Sequence, residues 1–218
     1  MQVFGWRAFD VRGLLPAGWD DKVLAVALQE NTLKEIRPPH VTSREAPDVE
    51  SLTIRGVGAD VVRAKLPWMT DLYHGSFKEL AQIGQSEAVR VADGKRHTVV
   101  MNVQLGTDMR YESHVDTNPI QGLLYVTNQP EGTGGELVVS RLSGGRSRED
   151  IDADPVMIYP QRGHLVFFDA RFHPHYIRVL NDENDVRVAV AFNYYVPSCP
   201  ESRRPNDLDD YLYGRRVS

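Results

Sequence analysis

His114, Val115 and Asp116 form the triplet whose side chains bear most directly on chemistry. In an extended chain, residues two apart point to the same side. An imidazole and a carboxylate then sit together and can fill two adjacent corners of an octahedral metal ion. A third corner needs another nitrogen donor, and the candidates are His164, His173 and His175. His175 is favoured because it opens a β-rich run, where a strand ladder fixes its backbone before any ligand arrives. His173 lies beyond Pro174 in the preceding loop, and His164 follows Gly163 at the start of a different run. Two histidines and one carboxylate leave three coordination positions open. Arg187 follows downstream. Its planar guanidinium matches a carboxylate through two parallel hydrogen bonds, which suits an acidic co-substrate.

These residues must be carried by strands. From about Ala88 onward, short β-rich runs alternate with turn signals, the pattern of a sandwich or barrel. The expected strands are His97–Leu105, Gly122–Thr127, Glu136–Val139, Pro155–Tyr159, His164–Phe168, His175–Leu180 and Arg187–Val196. Thr117-Asn118-Pro119 turns the chain just after the His-x-Asp triplet. Gly132-Thr133-Gly134-Gly135 and Asn181–Asp185 read as hairpin connections, the second placing the His175 and Arg187 strands side by side. Gly144–Asp154 reads as a polar loop. Along Arg187–Tyr195, period two places Val188, Val190, Phe192 and Tyr194 on a core face. The other face holds Arg187, Ala189, Ala191, Asn193 and Tyr195. Its two alanines leave room for a small anion beside the guanidinium.

The first part of the chain reads as helical. Apolar spacing predicts a helix over Trp19–Ile36, stopped by Pro38-Pro39, and a second over Pro67–Ile83, divided at Gly75. Trp68 belongs to its core-facing set. Pro38–Glu50 is a loop expected to border the site's mouth together with Gly106–Tyr111. Residues 205–218 read as a short turn or helix laid on the surface.

The 218 residues, 41% hydrophobic and 25% charged, are ordinary for a globular chain and read as one domain. Residues 1–96 form a helical lead-in with the first strands, 97–196 the β core, and 197–218 a C-terminal extension. A net charge of −5 with scattered basic residues provides no nucleic-acid footprint. No apolar run reaches membrane-spanning length. The N-terminus does not read as a signal peptide, and the lone Cys199 fits a reducing compartment, so a cytoplasmic protein is expected.

The segments Tyr111–Pro119, Gly134-Gly135-Glu136-Leu137, Leu165–Phe168, Pro174-His175-Tyr176-Ile177 and Arg187-Val188-Ala189-Val190, in that order and spacing, resemble the Fe(II)/2-oxoglutarate-dependent oxygenases. The nearest likeness is to their prolyl-hydroxylase-like branch, over roughly Val99 to Val196. The resemblance implies a mainly β fold with flanking helices, a double-stranded β-helix or cupin-like jelly-roll barrel. It implies that His114, Asp116 and His175 bind Fe(II) and act in catalysis, and that Arg187 holds the distal carboxylate of 2-oxoglutarate. Gln104, Tyr111 and Tyr125 match positions of further co-substrate contacts, although relatives often carry tyrosine where Gln104 stands. The implied reaction consumes O2 and 2-oxoglutarate, releases succinate and CO2, and is supported by ascorbate. Asp116 occupies the position that halogenating members leave small, so hydroxylation of a C–H bond is expected.

A free-standing chain favours a small-molecule substrate, such as an amino acid or natural-product intermediate, over a protein or peptide substrate of the prolyl-hydroxylase type. Arg110, Arg171 and Arg178 are candidate anion contacts. A nucleic-acid demethylase is disfavoured, because that branch carries a second arginine where this chain has Asn193. A non-catalytic cupin-like jelly roll is disfavoured by Arg187 and by the lack of a His-x-His pair.

Overall fold

The computed structural model describes residues 5–36, 52–94, 96–107, 111–144, 147–205 and 208–213. The chain begins with β1 (Trp6–Asp10), α1 (Trp19–Glu30), β2 (Thr32–Ile36) and β3 (Leu52–Val57). Three helices follow, α2 (Ala59–Lys65), α3 (Pro67–His74) and α4 (Ser76–Gln82). The β-rich part comprises β4 (Arg90–Val91), β5 (Val99–Leu105), β6 (Tyr111–His114), β7 (Ile120–Tyr125), β8 (Leu137–Ser140), then α5 (Arg148–Ala153). It continues with β9 (Pro155–Ile158), β10 (His164–Phe168), β11 (His175–Ile177) and β12 (Val186–Tyr195), before α6 (Leu208–Tyr213).

The strands form two antiparallel sheets. The larger has the order β1-β10-β7-β12-β5-β3-β2, with β4 also on β12; the smaller runs β6-β11-β8-β9. The larger sheet is covered on both faces, so the central strand β12 is buried along almost its whole length. On its outer face, Met69, Tyr73 and Phe77 of the helices join Val188, Val190, Phe192 and Tyr194 in one core. Partly buried Trp68 packs against that core, as its helical spacing predicts. The Tyr73 hydroxyl donates to the Asn193 carbonyl at 2.6 Å and accepts from the Ala92 amide at 2.6 Å, tying helix to sheet. On the inner face, Leu123, Ala189 and Ala191 meet Leu137, Val139 and Ile177 of the smaller sheet. Two sheets closed over this second core make the jelly roll.

Several expectations need correction. The helix expected over Trp19–Ile36 ends at Glu30. Asn31 turns extended, and its amide caps the carbonyls of Ala27 at 2.7 Å and Leu28 at 2.9 Å. Thr32–Ile36 pairs with β3 instead, because tertiary ladder bonds outweigh the weak helical period, and Leu33 is left half exposed. Neither Gly132–Gly135 nor Asn181–Asp185 closes a hairpin. Each carries the chain from one sheet to the other, so the His175 and Arg187 strands face each other across the barrel. The Gly144–Asp154 stretch holds α5, started by a reciprocal Ser147–Asp150 capping box. The C-terminal segment is not simply laid on the surface: Leu208 is buried. The Pro38–Glu50 loop lies outside the described residues. Among the described residues, no helix is long and apolar enough to cross a membrane.

Candidate metal centre and co-substrate pocket

His114 ends β6 and His175 opens β11, and the two are direct cross-strand partners. Antiparallel partners project to the same side, so the register alone brings the imidazoles together. Their ring centroids lie 4.4 Å apart. Asp116 lies just past β6, where its amide donates to the Ala170 carbonyl at 2.7 Å. Its carboxylate oxygens stand 3.7 Å from His114 Nε2 and 3.8 Å from His175 Nε2. Neighbouring ligands held about 2.1 Å from an ion lie about 3 Å apart, so these three groups can embrace one ion with small side-chain rotations. They are the one such cluster among the described residues, its donor atoms all within 4.8 Å of one another.

Both rings are already aimed. His114 Nδ1 lies 2.6 Å from the Glu112 carbonyl, and His175 Nδ1 lies 3.0 Å from the His173 carbonyl. A carbonyl can only accept, so each Nδ1 donates, and each Nε2 is turned toward Asp116. In both cases the acceptor is two residues back along the chain. Phe168 meets the His175 ring edge-on, 5.2 Å between centroids. The donor set of two neutral imidazoles and one carboxylate fits ferrous iron with positions to spare. His173 is fully buried, and its Nδ1 lies 3.1 Å from the Ser140 carbonyl. His164 belongs to the larger sheet, opposite Asp10, away from the cluster.

Arg187 is 1% exposed and sits on the inner face of β12. None of its three guanidinium nitrogens makes a hydrogen bond among the described residues. Its guanidinium carbon lies 5.7 Å from the centre of the Tyr125 ring. Burial pulls the guanidinium pKa below its usual value, opposed by Tyr125, Tyr111 and Glu136. Burial likewise pushes the Tyr125 phenol up to about 12, with the nearby Arg187 charge opposing it. Gln104 is paired opposite Arg187 in the ladder, is fully buried, and donates to the Arg178 carbonyl at 3.2 Å. Tyr111 lines the cavity, and its hydroxyl donates to the Arg55 carbonyl at 2.6 Å.

A cavity of about 390 Å³ opens beside the cluster, with His114 and Asp116 in its wall. Sequence reasoning missed Lys34, Asn102 and Gln121, which also line it. For Asn102 a signal existed: in β5, Val99, Met101 and Val103 enter the outer core, which turns Asn102 and Gln104 inward. Lys34 offered no such signal, because its strand reads as helix. Arg204, Leu208 and Leu212 add a C-terminal wall. The proposed anion contacts do not line this cavity. Arg171 donates to the Thr117 carbonyl at 3.0 Å, Arg178 pairs with Glu136 at 3.1 Å, and Arg110 lies outside the described residues.

The sequence matches no protein-family model and no curated protein. Solved structures do resemble the chain. One is an oxidoreductase of the 2OG-Fe(II) oxygenase family from Burkholderia pseudomallei: 13% identity, 88% of this chain and 85% of that one, TM-score 0.58. A second is the epimerase SnoN in complex with Fe3+, alpha ketoglutarate and nogalamycin RO: 15% identity, 99% and 88% coverage, TM-score 0.58. A third is a Trichoplax adhaerens prolyl hydroxylase in complex with a hypoxia inducible factor peptide fragment: 14% identity, 92% and 88% coverage, TM-score 0.59. At such identities the likeness establishes the fold. It is the jelly roll of the 2-oxoglutarate–Fe(II) oxygenase structures.

Proposed function

We propose that the chain is an Fe(II)- and 2-oxoglutarate-dependent dioxygenase that hydroxylates a C–H bond of a small molecule, converting 2-oxoglutarate and O2 to succinate and CO2. The observation that carries this reading is the pairing of two features in one barrel. His114, Asp116 and His175 converge on one point from the smaller sheet. Arg187, a buried guanidinium with unused hydrogen-bond donors, faces inward from the larger one.

His114, Asp116 and His175 hold the ion, and bound iron supplies the oxidising chemistry. Arg187 and Tyr125 take the distal carboxylate of 2-oxoglutarate, the guanidinium by paired charge-assisted hydrogen bonds. Gln104 sits beside Arg187 and Tyr111 flanks it, which fits roles in positioning the co-substrate. Ala191 lines the cavity, and its small side chain leaves room there. Phe168 and the surrounding apolar core exclude water and hold the His175 ring in place. The Asp116 carboxylate fills the position a halide would need, which supports hydroxylation over halogenation. The cavity volume falls in the range of small-ligand sites, which supports a small molecule over a peptide.

The deciding experiment is succinate formation from 2-oxoglutarate, with and without Fe(II), in wild type and Asp116→Ala. Fe(II)-dependent turnover that Asp116→Ala loses is the expected result. Equal turnover in the two proteins removes Asp116 from the ligand set and overturns the assignment.

A further inference from the structure

We propose that the substrate of this cavity is a monoanion, a small organic carboxylate whose charged group is held by Lys34. The inference rests on the dioxygenase reading for the site's identity, but not for the physical argument. Lys34 lies on β2, paired with Ile54 of β3, and both line the cavity that holds His114 and Asp116. Its ammonium group is partly buried and, among the described residues, makes no hydrogen bond or ion pair. The other charged groups of the C-terminal wall and rim have partners. Arg204 pairs with Asp209 at 2.7 Å, and Glu30 with Lys65 at 3.3 Å. Arg96 also lines the cavity, and together burial and the Arg96 charge lower the Lys34 pKa. Two like charges near each other in a partly desolvated wall are relieved by an anion between or beside them.

The acidic lining limits that anion's charge. Asp60 shares the wall, and its charge disfavours a dianion such as a phosphate monoester. A single carboxylate balances Lys34 without crowding Asp60. Asn102 and Gln121 provide side-chain amides on the cavity wall for the rest of a polar molecule. An inward-facing lysine on an edge strand also has a plainer role, as a guard against strand-to-strand aggregation. That role predicts no ligand preference.

The test uses protein loaded with Zn(II) in place of iron and saturated with 2-oxoglutarate, so that no turnover occurs. Saturation-transfer NMR then screens the common L-amino acids and simple aliphatic carboxylic acids against their matched primary carboxamides. The expected result is binding of one or more carboxylates, at least tenfold weaker binding of the matched amides, and loss of that preference in Lys34→Met but not in Lys34→Arg. Equal binding of acids and amides, an unchanged preference in Lys34→Met, or no binding anywhere in the panel overturns the proposal. Titration of 2-oxoglutarate itself into wild type and Lys34→Met is run alongside. Its failure to bind wild type sinks the dioxygenase reading; equal binding to both proteins is the result expected if Lys34 serves the substrate, and binding lost in Lys34→Met makes Lys34 a co-substrate contact and overturns the proposal.

Discussion

Arg187→Met separates a guanidinium kept for a ligand from one kept for the fold. Arg187 is 1% exposed, and its nitrogens are without hydrogen bonds among the described residues. A buried cation so placed is a net burden on the ligand-free protein. Methionine approximates the aliphatic stem and removes the charge, so packing is largely kept. Replacing buried ionic groups by apolar ones of similar volume is neutral or stabilising by about 1–4 kcal/mol. Tyr125, Tyr111 and Glu136 already compensate part of the burial, so we expect the lower half, about 1–2 kcal/mol. For a chain of this size that raises Tm by roughly 2–8 °C. The co-substrate moves the opposite way. Losing one side of a buried charge pair costs about 3 kcal/mol or more, roughly a hundredfold in affinity. Differential scanning calorimetry with and without 2-oxoglutarate reads both effects at once. Wild type is raised by about 2.7 kcal/mol at a hundred times its Kd, whereas the variant at the same concentration shows almost no shift. A variant that melts below wild type without ligand, and still binds 2-oxoglutarate normally, makes Arg187 a structural residue and refutes the reasoning.

Other perturbations follow from the same geometry. Asp116→Ala removes the only carboxylate of the cluster, and metal titration by calorimetry is expected to show at least a hundredfold weaker binding with little change in the apo melting point. Gly135 has φ +77°, and an added Cβ would meet Leu180 at 2.9 Å, Gln129 at 3.0 Å and Arg187 Cδ at 3.1 Å. Gly135→Ala is therefore expected to destabilise by about 1–3 kcal/mol and to weaken 2-oxoglutarate binding by displacing Arg187, both measurable in one melting series. Burial raises the Asp209 carboxyl, but His97 and Arg204 outweigh it and hold the pKa below its usual value. A depressed folded-state pKa stabilises above the unfolded value and is lost as pH falls through the folded one. Asp209→Asn is thus expected to lower stability by about 1 kcal/mol at neutral pH, and the difference from wild type should vanish in strong acid, as urea titrations across pH will check.

The His114–Asp116–His175 cluster was legible because its constraint is local. His-x-Asp on an extended segment needs only a period of two, and a strand-opening histidine such as His175 has the preorganisation that the loop residue His173 lacks. The structure adds a role for the loop residue: the His173 carbonyl accepts from His175 and orients its ring. The two faces of β12 were also legible, since a strand covered on both sides still alternates large and small residues. Sheet membership was not. Asn181–Asp185 has the composition of a hairpin turn, and only the three-dimensional register reveals that it changes sheets. The strand at Thr32–Ile36 was hidden for a related reason. Its helical spacing runs on from a real helix, and its strand character comes from β3, a partner that lies beyond residues 37–51 in the sequence.

The division of the site between two sheets has a mechanical consequence. The proposed metal ligands lie on and beside β6 and β11, and Arg187 on β12, with no ladder bonds joining those strands across the barrel. What fixes their separation is the inner core, where Leu123, Ala189 and Ala191 pack on Leu137, Val139 and Ile177. Close-packed interiors transmit changes as small as one methylene. Enlarging Ala189 or Ala191 is therefore expected to alter the distance between the His114–Asp116–His175 cluster and the Arg187 guanidinium, while Val188 and Val190 on the opposite face report only on the helical layer. A 2-oxoglutarate molecule of fixed length then acts as a gauge for the gap. Methyl-sized changes at Ala189 and Ala191 must disturb its binding far more than equal changes at Val188 and Val190, even where the two pairs cost the same in stability.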